Sequence, residues 1–195
     1  MKPNRKDKEH QIMEAALKVF NEYGFYKATI AKIAKEAQIG KGTVYEYFDS
    51  KKQLFEKSII YIKEKFIDDC VELIKDEKEV RKKIILIAKY HGIFMQNHAT
   101  TTEILLSNSA LLSKEIIDSM MDVRESIYTF LMELLEEGIE KKEIRDDVDK
   151  KTLLLCIWGG IMTNYYQRMF LEKTKAEDIG TEDIVNTIFE GIGRS

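Results

Sequence analysis

Two glycines bracket a lysine at Gly40-Lys41-Gly42, just before a short apolar-periodic stretch, and that spacing suits one kind of chemistry. Glycine at both places keeps side-chain bulk away from the first turn of a helix. Its backbone N–H groups and the positive end of its dipole can then come close to a phosphate. Enzymatic chemistry finds no such foothold. His10 lies in the polar N-terminal segment, and His91 and His98 stand seven residues apart. On a helix that separation is about 10 Å, too far to share one metal by spacing alone. Cys70 and Cys156 carry neither CxxC nor Cys/His spacing, which argues against a zinc site or disulfide scaffold and suits a reducing cytoplasm. No glycine-rich phosphate loop follows a strand, and no nucleophile stands near a base. We therefore expect no catalytic residue, no metal and no cofactor.

Other chemically notable residues fall on faces that are otherwise apolar. His91 follows Ile84 by one heptad, and Arg124 lies between Met120 and Ile127 or Tyr128. Met95, Met121, Trp158, Met162 and Tyr166 add soft or aromatic surface. An arginine on a buried stripe either receives an anionic head group, such as a carboxylate or an acyl-CoA, or pairs with an acid such as Glu103. His91 is either a satisfied core histidine or a ligand contact, and a methionine stripe is usually core.

The elements that must position these residues are helical. The 195 residues are 44% hydrophobic and 33% charged, with one proline, at position 3, and ten glycines. A β-sandwich or barrel needs more turn-formers than that. The N-terminus MKPNRKDKEHQ lacks the apolar stretch of a signal peptide, and ILIA and LLLCIWGGIM are too short and interrupted to span a bilayer. Charge is unevenly spread: residues 1–55 hold 11 Lys/Arg against 7 Asp/Glu, and the remainder 20 against 27. A basic head on an acidic body hints that the head meets a polyanion.

Ile12, Ala15, Ala16, Val19 and Phe20 follow i, i+3, i+4, i+7, i+8 in a first helix, which Gly24 stops. Thr29 caps a second, carrying Ile30, Ile33, Ala34 and Ala37 on one face. Gln38-Ile39-Gly40 makes a tight turn. A third helix, Lys41 to Tyr47, is too short to stand alone and must pack against the other two. Ser50 with Gln53 reads as a capping box opening a long fourth helix with Phe55, Ile59, Ile62, Phe66 and Cys70 on one stripe. A fifth helix carries Val80 to Met95, and a short sixth segment covers TTEILLSNSALL. A seventh runs from about Lys114 to Gly138, an eighth from about Asp149 to Glu172, and Thr181 caps a last one.

The second and third helices with their three-residue turn form a helix-turn-helix. Ala34 is small where the two must approach, and Ile39 and Val44 are apolar where the pair plugs into a core. Residues 11–56, with T-x-x-x-I-A, then G-T-V-Y-x-Y-F and S-K-x-x-L-F, resemble the DNA-binding domain of the tetracycline-repressor (TetR) family. The nine-helix layout resembles the same family over the rest. Gln38 departs from it, standing where the family usually has glycine; a left-handed conformation there costs about 1–2 kcal/mol.

The resemblance implies an all-α chain with a three-helix DNA-binding head, residues 1–50, and a larger ligand-binding and dimerisation body, residues 51–195. It gives Lys41, Gly42 and Thr43 to base edges and phosphates of the major groove, and Tyr45 and Tyr47 to the phosphate backbone. Thr29 offers a hydroxyl and an N–H to a phosphate, and Lys51 offers a charge to the same strand. Each has a plainer reading: Tyr45 as a core aromatic beside Val44 and Phe48, Thr29 as a cap, Lys51 as a solvated surface lysine. Glu46 either accepts from a cytosine amino group or points away, and we favour the second.

For the body, the resemblance implies a homodimer paired through the last two helices. Gly159 and Gly160 fit this, since a mid-helix glycine costs about 1 kcal/mol and wants a reason such as close helix contact, a kink being the alternative. Ile184 and Ile188 would join them at the interface. It also implies a pocket for a small hydrophobic or amphipathic effector, acyl-CoA-like or drug-like, with His91, Met95, Arg124, Trp158, Met162 and Tyr166 as candidate contacts. The effector would release the protein, as a repressor, from a palindromic operator on double-stranded DNA. We expect a cytoplasmic protein with no membrane partner. The rival is a DNA-binding protein whose body answers to a protein partner and takes no small molecule. A dry, fully packed body core favours that rival, and an internal cavity lined by His91, Arg124 and Trp158 favours the sensor.

Overall fold

A computed structural model of the chain describes residues 4–99 and 114–191. Among these the regular structure is helical, with no strand. The helices are α1 (Arg5–Lys27), α2 (Ile30–Glu36), α3 (Lys41–Tyr45), α4 (Lys51–Ile74), α5 (Val80–Asn97), α6 (Lys114–Glu140), α7 (Lys150–Tyr166) and α8 (Thr181–Glu190). A π-turn, Gln167–Leu171, extends α7, and a 3-10 turn, Ala176–Asp178, precedes α8. The expected eighth helix is thus present as α7 plus a wider-wound end. The expected sixth segment, TTEILLSNSALL, and Glu103 within it, lie outside the described residues. The described residues gather into two compact units, drawn from Met1–Phe66 and Asn97–Val123 on one side and from Ile67–Gln96 and Arg124–Ser195 on the other.

In the first unit, the periodic apolar residues close one core. Ile12, Ala16, Phe20, Ile33, Val44, Phe48, Leu54, Phe55 and Ile59 are all essentially inaccessible to water. Phe20 meets Phe55 edge-on with ring centroids 5.0 Å apart, and Phe25 packs beside both. Burial of Val44 and Phe48 is what holds α3, whose five residues could not stay helical alone.

The turns follow from their residue types. Gly24 takes φ +71°, ψ 164°, a region essentially closed to other residues, and breaks α1 near its end. Gln38 takes φ +54°, so it does adopt the left-handed conformation and bears its cost. Its N–H donates to the Lys35 carbonyl at 3.1 Å and that of Ile39 to the Ala34 carbonyl at 2.9 Å. These two bonds make a Schellman motif closing α2. At the start of α4 the Gln53 N–H donates to Ser50 Oγ at 3.0 Å. The Gln53 side chain reaches back to the Asp49 N–H, one residue earlier than a capping box requires.

In the second unit, Tyr165 is fully buried and its hydroxyl lies 2.5 Å from Thr181 Oγ1, joining α7 to α8. Arg81 of α5 reaches α8 through Asn186 and Glu190. Glu143 accepts from the Val80 N–H at 2.7 Å, satisfying a first-turn donor of α5. Asp149 caps α7 by accepting from the Thr152 N–H.

Candidate nucleic-acid interface

The recognition segment is built with its polar start facing outward. Gly40 is the N-cap of α3, and its carbonyl accepts from the Thr43 N–H at 3.1 Å. Lys41 and Gly42 are exposed, and a β-carbon added at Gly42 would meet no atom within 4 Å. An incoming surface can therefore approach the first turn of α3 closely. Thr43 is half-buried beside it.

Tyr45 lies 50% exposed, while Val44 and Phe48 fill the core. The ring has Lys41 Nζ 5.9 Å from its centroid. Tyr47 is partly buried against the same core, and the Arg5 guanidinium lies 5.7 Å from its ring centroid. Glu46 is exposed. Thr29 is exposed and caps α2, its hydroxyl accepting from the Lys32 N–H at 3.3 Å. One role does not prevent the other.

Lys51 is placed differently from a solvated surface lysine. Its ammonium donates to the carbonyls of Phe25 at 2.8 Å and Ala28 at 3.0 Å, with that of Tyr26 at 3.4 Å. It also sits 4.6 Å from the Phe25 ring centroid. These carbonyls end α1, where a cation is favoured by the helix dipole. The charge thus fastens the loop that delivers Thr29. Arg5, beside Tyr47, was not among the residues singled out from the sequence. The two are far apart along the chain, and no spacing pattern connects them.

In the second unit, a narrow apolar cavity of about 20 Å³ opens between α5, α6 and α7, lined by Ile84, Ile87, Leu131, Leu135, Leu154 and Trp158 among others. That is about the room of one water molecule. Of the six expected ligand residues, Trp158 lines it. His91 is buried with its ring centroid 5.3 Å from that of Trp158, and 6.5 Å from that of Tyr165. Burial pushes the His91 imidazole down to about 4, so it is neutral at ordinary pH. Met95 is buried, Met162 partly so, and Arg124 and Tyr166 are exposed. The structure therefore gathers His91 and Trp158, adds Tyr165, and does not bring Arg124 to the cavity.

The expected pairing residues lie on α7 and α8. Gly160 is where α8 comes close: a β-carbon there would lie 3.3 Å from Ile188 Cδ1. At Gly159 it would meet nothing within 4 Å. Leu155 is 60% exposed and Tyr166 39% on the same helix. Ile184 is partly buried on α8. A helix apolar on its outer face as well as its inner one is built to be covered.

Three comparisons bear on this arrangement. A family model described as bacterial regulatory proteins, tetR family, matches residues 12–57. The chain is 31% identical over 163 residues to the fatty acid metabolism regulator protein of Bacillus subtilis (strain 168), across 80% of this chain and 81% of that one. It is 28% identical over 161 residues to the nucleoid occlusion factor SlmA of Aliivibrio fischeri (strain MJ11), across 82% and 81%. Among solved structures, the transcriptional regulator FadR from Bacillus subtilis, in complex with stearoyl-CoA, superposes with a TM-score of 0.74, covering 94% of this chain and 99% of that one. At 23% identity that last likeness is one of fold.

Proposed function

This chain belongs to the tetR family of bacterial regulatory proteins, DNA-binding regulators of transcription, and from that premise we propose that it is a cytoplasmic homodimeric repressor released from a palindromic operator by a fatty acyl-CoA or similar amphipathic molecule. The observation that carries the DNA reading is the exposed, unobstructed start of α3 at Gly40-Lys41-Gly42, held in place by buried Val44 and Phe48. Lys41, Gly42 and Thr43 enter the major groove, Tyr45 and Tyr47 meet the flanking backbone, and Thr29 offers its hydroxyl to a phosphate. Lys51 holds the Thr29 loop and sets its charge beside it. Two heads paired through Gly159, Gly160, Ile184 and Ile188 read half-sites about one helical turn, 34 Å, apart.

The effector reading is supported by the fatty acid metabolism regulator among the relatives and by the apolar lining around Trp158. Ligand pockets commonly reach about 300–1,000 Å³, far above the present 20 Å³. Binding therefore requires α5, α6 and α7 to part, and an effector that favours the parted state shifts the population away from the DNA-bound one. Trp158 lines the present cavity with His91 packed beside it, and Met95, Met162, Arg124 and Tyr166 would be reached only in the parted state.

The test is selection of genomic fragments by the purified protein at two salt concentrations, beside a Lys41→Ala/Tyr45→Ala double variant. A palindrome enriched by the native protein, weakened by salt and lost in the variant is the expected result. Enrichment indifferent to the variant sinks the α3 assignment. The narrowness of the cavity favours a second reading, in which the body answers to a protein partner. Adding a long-chain acyl-CoA to the protein–operator complex separates the two, since only the first predicts release.

A further inference from the structure

Resting on the α3 reading of DNA binding, the geometry points to Arg5 as a phosphate contact that the helix-turn-helix motif does not contain. The stretch from Gly40 to Phe48 carries one lysine, Lys41, and one glutamate, Glu46, so the recognition helix brings no net charge to a polyanion. The neutralising cations must come from elsewhere on the head. Several lysines of the first unit are engaged. Lys51 is tied to the carbonyls ending α1. Lys18 faces Glu36, Lys57 faces Glu9, and Lys65 faces Glu14. Lys32 lies over the Tyr23 ring at 3.4 Å.

Arg5 differs from these in where it lies and what it touches. It is exposed at the start of α1, and no ion pair engages it among the described residues. Its guanidinium lies over the ring of Tyr47, 5.7 Å from the centroid, immediately beyond α3. A guanidinium on an aromatic face keeps its in-plane N–H donors free for a second partner. Two parallel N–H donors match a phosphate's oxygens. Tyr47 thus serves as a platform that carries the charge of α1 to the end of the recognition helix. The contact is sequence-independent: it strengthens binding to any duplex and selects no base.

Each neutralised phosphate contributes about 0.9 to the slope of log K against log salt. Arg5→Ala is therefore expected to reduce the magnitude of that slope by about 0.9, on the selected genomic fragment and on a random-sequence duplex alike. Arg5→Lys should restore most of the slope. Tyr47→Leu, which keeps an apolar side chain against the core but removes the ring, should lose part of it. Helicity and melting temperature of Arg5→Ala should match the native protein. A native-like slope for Arg5→Ala overturns the inference, and so does a loss confined to one base position. The parent reading fails separately: there, Lys41→Ala/Tyr45→Ala leaves selection unchanged whatever Arg5 does. If no fragment is selected, the random duplex at low salt still decides the slope.

Discussion

The ring of Tyr165 lies directly against the α-carbon of Gly92: a β-carbon there would fall 2.0 Å from Cε1 of the tyrosine. The ring has no room to retreat, because it is fully buried and its hydroxyl is bonded to Thr181. Helices α5 and α7 therefore touch through a glycine, with His91 and Trp158 packed edge-on next to the contact.

Gly92→Ala should destabilise the protein by about 3 kcal/mol, the upper end for overpacking a filled core. Thermal melting at fixed protein concentration should show a fall of about 6–12 °C for a chain of this size. Tyr165→Phe keeps the ring and removes the hydroxyl, and should cost about 1 kcal/mol. A native-like melt for Gly92→Ala would show that α5 and α7 can separate at that point.

The pH dependence of stability carries a signature of His91. Its buried imidazole holds at about 4, below the ordinary 6.5, so on acidification the unfolded chain takes up the proton first. His91 contributes no pH dependence above 6.5, and stability is lost as pH falls from 6.5 towards 4. Between pH 7 and pH 4.5 the loss from this group is about 2–3 kcal/mol. Urea unfolding at the two pH values should show that much less sensitivity in His91→Leu than in the native chain. Equal sensitivity would mean that His91 is protonated in the folded protein.

Gln38 holds a left-handed backbone at φ +54° with its side chain exposed. Left-handed geometry costs a non-glycine residue about 1–2 kcal/mol, and glycine's greater freedom in the unfolded chain returns part of that. Gln38→Gly should therefore stabilise by about 1 kcal/mol and raise the melting temperature by about 2–4 °C. Operator affinity should stay within about twofold, because α3 keeps its position. A lower melting temperature would locate an unrecognised partner of the Gln38 side chain.

Lys51→Met strips the donor from the carbonyls of Phe25 and Ala28. Charged hydrogen bonds of this kind are worth about 1.5–3 kcal/mol each way they are measured. The variant should melt earlier and bind operator more weakly, with the salt slope unchanged. A slope reduced by about 0.9 would instead identify Lys51 as a direct phosphate contact.

The head was largely legible along the chain. Its apolar spacing marked Ile12, Phe20, Ile33 and Val44 as core, and all four are buried. Those contacts repeat within a few turns, so local periodicity carries them. Tyr45 was open to two readings, because one turn of a short helix presents several faces. Burial of its neighbours Val44 and Phe48 left it at the surface.

The body was legible only as helices. Soft or aromatic character singled out Trp158, Met162 and Tyr166 on α7; Trp158 does pack on His91, but at the end of the helix it is Tyr165, not Tyr166, that joins it. One residue along a helix turns the side chain by about 100°, and in α7, apolar all round, no polar face indicates which direction is inward. By itself, then, the sequence determined the all-helical class and the helix-turn-helix, because each rests on neighbours within a few residues. The commitment of Lys51 to the end of α1, the seating of Arg5 on Tyr47 and the contact of Tyr165 with Gly92 were decided by tertiary structure. Each joins groups distant along the chain, and only packing fixes which of many compatible partners a side chain meets.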